Sequence, residues 1–330
     1  MLITVFTATY NRAYILPALY DSLCKQTDKD FEWLIVDDGS TDDTEALVEG
    51  WQSAENGFAI RYYRKENGGK SRAVNDGVKL AKGEYFFMVD SDDMIVPEAV
   101  SLLKKHCVEI ADKEDIIAVG MARGYPDGKY IKGTPPKVGT EGYVDATNLD
   151  RDLYDLDADM CEAYKTAVFA GFPMPEWEGE GFAPEQIALN EISLAGYKVR
   201  WYTDIIYICD YLEDGLTKGG DLLVAKNPMG YAMMYNHMLK YPRLSVKRKY
   251  RAAAQHIALS VVGGNPSYIF KSNKFRYTLL ALPLGLATAV EEENNTKNFL
   301  GNKKILSFTS SGRKDFLFNL GKCSPRFWGG

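Results

Sequence analysis

Short apolar segments alternate with amphipathic segments along the first 90 residues, and this alternation is the feature that most limits the fold. The apolar segments are rich in β-branched and aromatic residues, as buried strands are: Leu2–Thr7, Trp33–Val36, Ile60–Tyr63 and Tyr85–Val89. The segments between them carry apolar residues at helical spacing: Ala13–Gln26, Asp42–Trp51 and Ser71–Ala81. This order predicts an α/β fold with a mostly parallel sheet flanked by helices, and it places ligands beyond the carboxyl ends of the strands.

The rest of the chain continues this pattern and then changes to a longer helical part. Further elements are predicted as helices at Glu98–Ile110 and Pro184–Leu194 and as strands at Ile116–Val119, Lys198–Tyr202 and Ile205–Cys209. Residues 124–150 are rich in Gly, Pro and Asp, which predicts an irregular insertion. Longer helices are then predicted at Leu222–Leu239 and Ser245–Val262. We therefore expect an α/β domain at residues 1–220 and a mainly helical region at residues 221–330.

Charge is distributed unevenly between these two parts. Residues 221–330 contain 17 Lys and Arg against 5 Asp and Glu, whereas residues 1–220 contain 22 against 40. The acidic part argues against nucleic acid as a partner, because proteins that bind nucleic acid present basic surfaces. The basic part suits an anionic surface such as a membrane leaflet. The most apolar run, Leu279–Val290, is shorter than the roughly 20 residues that a membrane-spanning helix needs.

The amino terminus and the cysteines indicate a reducing compartment. Residues 1–12 have the composition of a strand and a turn, without the basic segment and long apolar segment of a signal peptide. The five cysteines are odd in number, widely spaced and free of CxxC pairs, which argues against a disulfide or zinc scaffold. We therefore expect a cytoplasmic location.

A cluster of carboxylates, Asp90-Ser91-Asp92-Asp93, directly follows the apolar strand at residues 85–89. Three carboxylates within four residues repel one another unless a cation or hydrogen-bond donors lie nearby. Mg²⁺ and Mn²⁺ take oxygen ligands and are often held by one or two carboxylates together with substrate phosphates. The cluster therefore suits a divalent cation. The alternative is a turn in which Asp92 or Asp93 caps the next helix.

Two further polar segments also follow predicted strands. Asp38 could accept hydrogen bonds from a nucleoside, and the Ser, Thr and Asp residues after it could cap the next helix. Gly68–Gly69 would let the backbone approach a ligand, with Lys70 and Arg72 suited to the charge of a diphosphate. The alternative for Gly68–Gly69 is an ordinary turn. The spacing of neither a P-loop nor a dinucleotide motif is present.

In order and spacing, these segments together resemble the amino-terminal half of family-2 nucleotide-sugar glycosyltransferases, whose GT-A fold is a Rossmann-like α/β sheet. The matching residues are Thr9–Arg12, Gln26–Thr27, Phe31–Glu32, Ile35–Asp42, Glu66–Gly69, Ala73–Asn75, Ala81–Tyr85 and Asp90–Asp93. The resemblance implies an enzyme that transfers a sugar from a nucleoside-diphosphate sugar. It also implies UDP as the nucleotide and Mn²⁺ or Mg²⁺ as the cofactor.

The resemblance assigns roles to individual residues of the donor site. Thr9, Tyr10 and Asp38 would contact the base and the ribose. Asp90 would contact the ribose and the metal, and Asp92 would be the direct metal ligand. The other expected donor-binding residues are Arg12, Lys70, Arg72 and Ser91. A divalent cation bridging the phosphates would neutralise the charge that builds on the departing diphosphate.

An inverting transfer also needs a base for the acceptor hydroxyl. The family places an acidic residue at the start of a helix in its second half, commonly as Glu-Asp, and this chain has Glu185-Gln186 there. Gln186 cannot take up a proton at physiological pH, so the expected base is Glu185, with Glu180 second. The alternative is that Glu185, next to Pro184, favours the helix N-terminus.

Two features of the second half leave alternatives open. Relatives often carry a histidine late in the catalytic domain, and residues 210–217 have none, so Asp214 or Lys218 could take its place. Residues 221–330 resemble, less closely, the helical tails of polysaccharide-assembling members. Their basic cluster at residues 241–251 and the apolar Leu279–Val290 suit peripheral attachment at the inner face of the plasma membrane. A helical subdomain that only packs on the catalytic domain is the alternative.

The expected function is transfer of a sugar to a hydroxyl of a surface polysaccharide or a lipid-linked oligosaccharide. Two other functions stay open. The absent Glu-Asp pair keeps a non-catalytic nucleotide-sugar binding module under consideration. A nucleotidyltransferase would use a similar sheet but would release pyrophosphate from a nucleoside triphosphate.

Overall fold

A computed structural model of the protein describes residues 2–131, 133–156, 160–209 and 220–301, with only the backbone given for residues 221 and 294–301. The strands in these ranges are β1 (Ile3–Thr9), β2 (Phe31–Asp37), β3 (Ala59–Arg64), β4 (Tyr85–Met88), β5 (Met94–Ile95), β6 (Ile116–Gly124), β7 (Tyr143–Ala146), β8 (Met160–Lys165) and β9 (Lys198–Ile208). The α-helices are α1 (Leu16–Cys24), α2 (Thr44–Gln52), α3 (Lys70–Leu80), α4 (Ala99–Glu109), α5 (Thr166–Phe169), α6 (Gln186–Leu194), α7 (Gly220–Lys226), α8 (Pro228–Met238), α9 (Val246–Val262) and α10 (Phe275–Gly301). Short 3₁₀ helices cover Asn148–Tyr154 and Pro266–Lys271.

The strands form one sheet in the order β3-β2-β1-β4-β8-β6-β9-β5, and β7 also pairs with β9. β3, β2, β1 and β4 are parallel, as are β6 and β9. β8 lies antiparallel between β4 and β6. The predicted α/β sheet flanked by helices is confirmed. Every residue of β2 is buried, which explains its nearly continuous apolar sequence.

Helices cover both faces of the sheet at β1. Successive residues of a strand point to opposite faces, so β1 presents side chains to the helices on each side. Leu19 and Leu23 of α1 share a core with Val5 of β1. On the opposite face, Gly77 of α3 lies directly on the ring of Phe6, where a Cβ atom would collide with it. The missing side chain of Gly77 therefore lets α3 approach the sheet closely.

The structure corrects two predictions about elements in the second half. Lys198–Tyr202 and Ile205–Cys209 were expected to be separate strands, but they belong to the single strand β9, whose pairing with β6 shifts register at a bulge. Leu222–Leu239 was expected to be one helix, but it is divided into α7 and α8 at Asn227-Pro228. Proline has no N–H for the preceding turn, and it therefore begins α8 instead of continuing α7.

The described residues fall into two compact units. The first contains the residues up to Pro173 and those from Leu189 to the end of β9, around a core that includes residues of β1, β2, α1 and α4. The second contains Met174–Ala188 and the helices from Gly220 onward, with a core of α8, α9 and α10 residues. No helix within the described ranges is long and apolar enough to cross a membrane.

Candidate active site

The loops that follow β1, β2 and β4 lie at one edge of the sheet in the first unit. β1 and β2 are parallel, and Thr9 at the end of β1 pairs with Asp37 at the end of β2. β4 is parallel to β1 on its other side. Because parallel strands present their carboxyl ends at the same edge, the polar segments after these strands share that edge.

Asn11 joins the loop after β1 to the loop after β2. Its φ angle of 53° lies in the left-handed region, which Asn tolerates better than most residues. Its N–H donates to Ser40 Oγ at 2.8 Å, and its Oδ1 accepts from the N–H of Thr41 at 2.7 Å. Asp42 Oδ1 accepts from the Thr44 hydroxyl at 2.6 Å and from the Thr44 N–H at 3.2 Å, while the N-cap residue of α2, Asp43, makes no side-chain capping bond. These contacts fix the two loops relative to each other.

Thr9 and Tyr10 present a hydroxyl and an aromatic ring at this edge. Thr9 Oγ1 is buried and has no hydrogen-bond partner in the described part of the chain. A buried hydroxyl without a partner is costly, so Thr9 suits a polar group of a ligand. Tyr10 is 47% exposed. Arg12 contacts its own loop, because its guanidinium donates to the hydroxyl of Tyr14.

Asp38 is buried and holds the loop that precedes α3. Its Oδ1 accepts from Lys65 Nζ and from the N–H of Gly68, each at 2.9 Å, and its Oδ2 accepts from the N–H of Gly69 at 2.7 Å. Gly69 has a φ angle of 94°, which an L side chain rarely adopts. The carboxylate predicted to contact the nucleoside therefore also fixes the start of α3, and with it Lys70.

Asp90 lies between two cations. Lys70 Nζ donates to its Oδ1 at 2.6 Å, and Arg123 Nη1 lies 3.8 Å from its Oδ2. Burial by itself raises the pKa of Asp90, but the charges of Lys70 and Arg123 outweigh it and hold the pKa below its ordinary value. Arg72, which was expected to bind a diphosphate together with Lys70, donates to the carbonyl of Gly68. Asp90 is thus ionised and neutralised by its neighbours.

Asp92 differs from Asp90 in its surroundings. Its side chain is half-buried, and no described residue forms a hydrogen bond or an ion pair with its carboxylate, while the adjacent Ser91 is buried. No group of three or more His, Cys, Asp and Glu side chains among the described residues could hold a metal ion by itself. One open carboxylate beside a paired one fits a Mg²⁺ or Mn²⁺ ion that substrate phosphates complete. Asp92 would be the protein ligand of such an ion, with Asp90 beside it.

Two residues that the sequence did not point to, Tyr207 and Arg123, support this turn at Asp93. Tyr207 Oη donates to Asp93 Oδ2 at 2.7 Å, and Arg123 Nη1 lies 4.0 Å from the same oxygen. Burial, with the charge of Asp90 adding to it, raises the pKa of Asp93 to about 7, although Tyr207 and Arg123 act in the opposite direction. Arg123 lies in the part of β6 beyond Val119, where the strand was predicted to stop, and Tyr207 is an aromatic residue in an apolar strand. No sequence signal distinguished them from structural residues.

The two candidate bases lie in the second unit and have different environments. Both carboxylate oxygens of Glu180 accept from backbone N–H groups at the start of α8, those of Met229 and Gly230, at 2.8 Å each. Burial raises the pKa of Glu180, and the two hydrogen bonds only partly oppose this. Glu185 is exposed, directly precedes α6 and has no hydrogen bond to a described residue. The other residues considered, Asp214 and Lys218, lie outside the described residues.

The sequence comparisons show a similarity to one family over the amino-terminal half of the chain. The model of the family described as glycosyl transferase family 2 matches residues 4–167. GlyG, a glycosyltransferase of Streptococcus pneumoniae serotype 4, is 32% identical over 127 residues, which cover 38% of this chain and 40% of that protein. The chain spans at most 40% of the length of the first curated relatives that it matches.

Two solved structures share the fold over most of the chain. TarS residues 1–349 of S. aureus, in complex with UDP-GlcNAc, has a TM-score of 0.58 and 19% identity, with 94% of this chain and 95% of that chain covered. The mannosyltransferase PcManGT of Pyrobaculum calidifontis, in complex with GDP-Man and Mn²⁺, has a TM-score of 0.54 and 17% identity, with 92% and 88% covered. These likenesses establish the GT-A fold.

Proposed function

We propose that this protein is a metal-assisted, inverting glycosyltransferase that uses a nucleoside-diphosphate sugar, because residues 4–167 match the model of glycosyl transferase family 2. The observation that carries the proposal is the contrast at the end of β4, where Asp90 is neutralised by Lys70 while Asp92 remains open. The proposed acceptor is a hydroxyl of a surface polysaccharide or a lipid-linked oligosaccharide, as the resemblance of the chain implies.

The nucleoside of the donor would lie at the ends of β1 and β2. Thr9 supplies a hydroxyl that lacks a described partner, and Tyr10 supplies an exposed ring. Asp38 Oδ2 accepts a single described hydrogen bond, from Gly69, and a carboxylate oxygen can accept two. Asp38 therefore has the capacity to bind a ribose hydroxyl without releasing the loop. The UDP-GlcNAc complex of TarS supports UDP as the nucleotide.

The diphosphate would lie between Lys70 and Asp92. Lys70 begins α3, so its ammonium group and the positive end of the helix dipole act on the same anion. When bound, Mn²⁺ or Mg²⁺ would supply Lewis-acid neutralisation of the charge on the leaving nucleoside diphosphate. The Mn²⁺ complex of PcManGT supports this choice of metal. Lys70 would then contact the phosphates while it keeps its hydrogen bond to Asp90.

Glu185 is the proposed general base. The acceptor oxygen forms a bond to the anomeric carbon on the face opposite the diphosphate, the carbon–oxygen bond to the phosphate breaks, and the acceptor proton passes to Glu185. The diphosphate leaves with the bonding electron pair, so the configuration at the anomeric carbon inverts. Glu180 is less suited to this step, because two backbone hydrogen bonds tie its carboxylate to the start of α8.

The test of the proposed function is product analysis with a panel of nucleotide sugars, with and without Mn²⁺. A glycosyltransferase releases a nucleoside diphosphate when it transfers the sugar to the acceptor. When the acceptor is absent, slow hydrolysis of the nucleotide sugar releases the same product. Release of pyrophosphate from nucleoside triphosphates would instead identify a nucleotidyltransferase. Binding of a nucleotide sugar without any turnover, in the presence of a broad acceptor panel, would identify a binding module.

We also propose that the second unit attaches to an anionic membrane surface at the cytoplasmic face. The observation is on α10, where a set of large apolar side chains is exposed to between 36% and 68%: Leu279, Leu280, Leu282, Leu284, Leu286 and Val290. Basic residues precede the set at Lys271, Lys274 and Arg276, and each can add about 1 kcal/mol near an anionic leaflet. Apolar side chains exposed in this way can enter the interface without the helix crossing the membrane.

The membrane proposal is tested by co-sedimentation with vesicles of phosphatidylglycerol and phosphatidylcholine. Leu280→Glu removes a side chain that is 68% exposed and should lower binding more than tenfold, because it replaces apolar contact with a charge. Val108→Glu makes a similar change at a 67% exposed site on α4 and should bind as the wild type does. Equal binding by all three proteins would reject the proposal.

A further inference from the structure

We propose that Tyr207 positions the Asp90–Asp93 turn for donor binding, acting with Asp93 and Arg123. The inference rests on the proposed function, because it concerns the turn that would meet the metal and the diphosphate. Tyr207 lies on β9, across from Ile95 of β5, and is fully buried. It therefore acts through the turn and does not contact the donor itself.

The hydroxyl of Tyr207 holds both ends of the turn. The N–H of Asp90 donates to Tyr207 Oη at 2.9 Å, and Tyr207 Oη donates to Asp93 Oδ2 at 2.7 Å. A hydroxyl has one proton. Tyr207 Oη therefore donates only to Asp93, and it accepts the hydrogen bond from the Asp90 N–H. The turn is closed by the N–H of Asp93, which donates to the carbonyl of Asp90 at 3.2 Å. Asp92 lies inside this closed turn.

Arg123 supports the same arrangement from β6. Its guanidinium lies 4.2 Å from the centre of the Tyr207 ring, and its Nε donates to the carbonyl of Met160 at 3.0 Å. The same guanidinium faces Asp90 at 3.8 Å and Asp93 at 4.0 Å. Its positive charge offsets the repulsion between two carboxylates that the turn brings together. The position of Asp92 is thus set by neighbours that the sheet holds rigidly.

Tyr207→Phe removes only the hydroxyl and leaves the packed ring. The N–H of Asp90 and the carboxylate of Asp93 would each lose a buried partner, and hydrogen bonds to charged groups are among the stronger ones. We expect UDP to bind about tenfold to a hundredfold more weakly in the presence of Mn²⁺, and the apparent KM for the donor to rise by a similar factor. The KM for the acceptor should stay unchanged, because the turn does not meet it.

Tyr85→Phe is the matched control. Tyr85 is a buried tyrosine of β4 in the same sheet, and its hydroxyl donates to the carbonyl of Cys107 at 2.9 Å. Its loss removes one neutral hydrogen bond and should lower thermal stability by no more than Tyr207→Phe does. It should leave UDP affinity within twofold of the wild type, because Tyr85 has no described contact with the turn.

The experiment combines calorimetry of UDP with Mn²⁺ and amide hydrogen exchange of the ligand-free proteins. Exchange of the Asp90 N–H should be at least tenfold faster in Tyr207→Phe and unchanged in Tyr85→Phe. Wild-type exchange and wild-type UDP affinity in Tyr207→Phe would overturn the inference, as would equal loss of affinity in both variants. If the wild type itself binds no UDP with Mn²⁺, the proposed UDP donor fails, and the exchange rates still decide whether Tyr207 holds the turn.

Discussion

The Asp90–Asp93 turn and helix α10 place their unusual residues in opposite surroundings. In the turn, three carboxylates should repel one another; Lys70, Arg123 and Tyr207 hold two of them, Asp90 and Asp93, and leave Asp92 open. On α10, large apolar side chains face outward, while the opposite face meets α9 through small residues such as Gly285. The turn brings charged groups into a partly buried place, where burial of an unpaired charge costs free energy. Helix α10 exposes large apolar side chains to water, which also costs free energy.

The difference separates two kinds of functional surface. A site for a small charged ligand needs fixed geometry, because ionic contacts depend on distance and direction. A surface for a membrane needs only apolar area and nearby positive charge, to which each side chain contributes a share. Single substitutions should therefore have large effects in the turn and graded effects on α10.

The largest effect is expected from Asp92→Asn. The substitution removes the open carboxylate while keeping the shape of the side chain, so metal-dependent release of the nucleoside diphosphate should fall by about a thousandfold or more. Asp115→Asn, a change at an exposed ion pair with Lys198, is the control and should retain the wild-type rate. Initial rates at saturating Mn²⁺ measure both. A normal rate in Asp92→Asn would remove this residue from the site.

The next largest effect is expected from Glu185→Gln. Loss of a general base lowers turnover by about a hundredfold to ten-thousandfold, and donor affinity should stay within twofold because Glu185 does not bind the donor. The readouts are kcat with an acceptor and calorimetric affinity for the donor. Unchanged kcat would place the base elsewhere in the chain.

On α10, the two faces should respond differently to the same added bulk. Gly285→Val should lower the free energy of unfolding by about 1–3 kcal/mol, because a Cβ at Gly285 would already lie 2.6 Å from Ile257 Cβ. Ala287→Val places the same residue at an exposed position and should lower stability by less than about 0.7 kcal/mol, the cost of its lower helix propensity. Chemical denaturation compares the two. Equal losses would contradict the assignment of the buried and exposed faces.

The smallest effect is a pH dependence of stability at Glu180. Its pKa is raised in the folded protein, so folding favours the protonated carboxyl group. Its contribution to stability is therefore present below the pKa of the unfolded chain and is lost as the pH rises through the folded pKa. The stability of the wild type relative to Glu180→Gln should fall as the pH rises from about 4 to 7. A constant difference over that range would be the contrary result.

The sequence predicted the parts of the site that follow strands, because their position depends on chain order alone. Asp38, Lys70 and Asp90 each follow a strand or begin a helix, and parallel strands bring such segments to one edge. Arg123 and Tyr207 could not be predicted in this way. Their roles come from the order β8-β6-β9-β5 in the sheet, in which a parallel pairing of β6 with β9 is flanked by two antiparallel pairings, all between segments distant in the sequence.

The same reasoning explains the two corrected elements. A bulge in β9 interrupts the apolar pattern without ending the strand, because pairing with β6 continues across it. The break between α7 and α8 falls at Asn227-Pro228. The hydrophobic pattern continues across this point, but Pro228 has no N–H for the hydrogen bond that would continue α7. The spacing of apolar residues in a sequence indicates which positions are buried. It does not show where a helix or strand ends, because that depends on the backbone hydrogen bonds.

The central claim is that Asp90 and Asp92 meet a nucleoside diphosphate through a divalent cation. Calorimetric titration of the wild type and Asp92→Asn with UDP, each with and without Mn²⁺, tests it directly. The account predicts binding by the wild type with Mn²⁺, and affinity at least tenfold lower when either Mn²⁺ or the Asp92 carboxylate is removed. Equal affinity in all four titrations would contradict it.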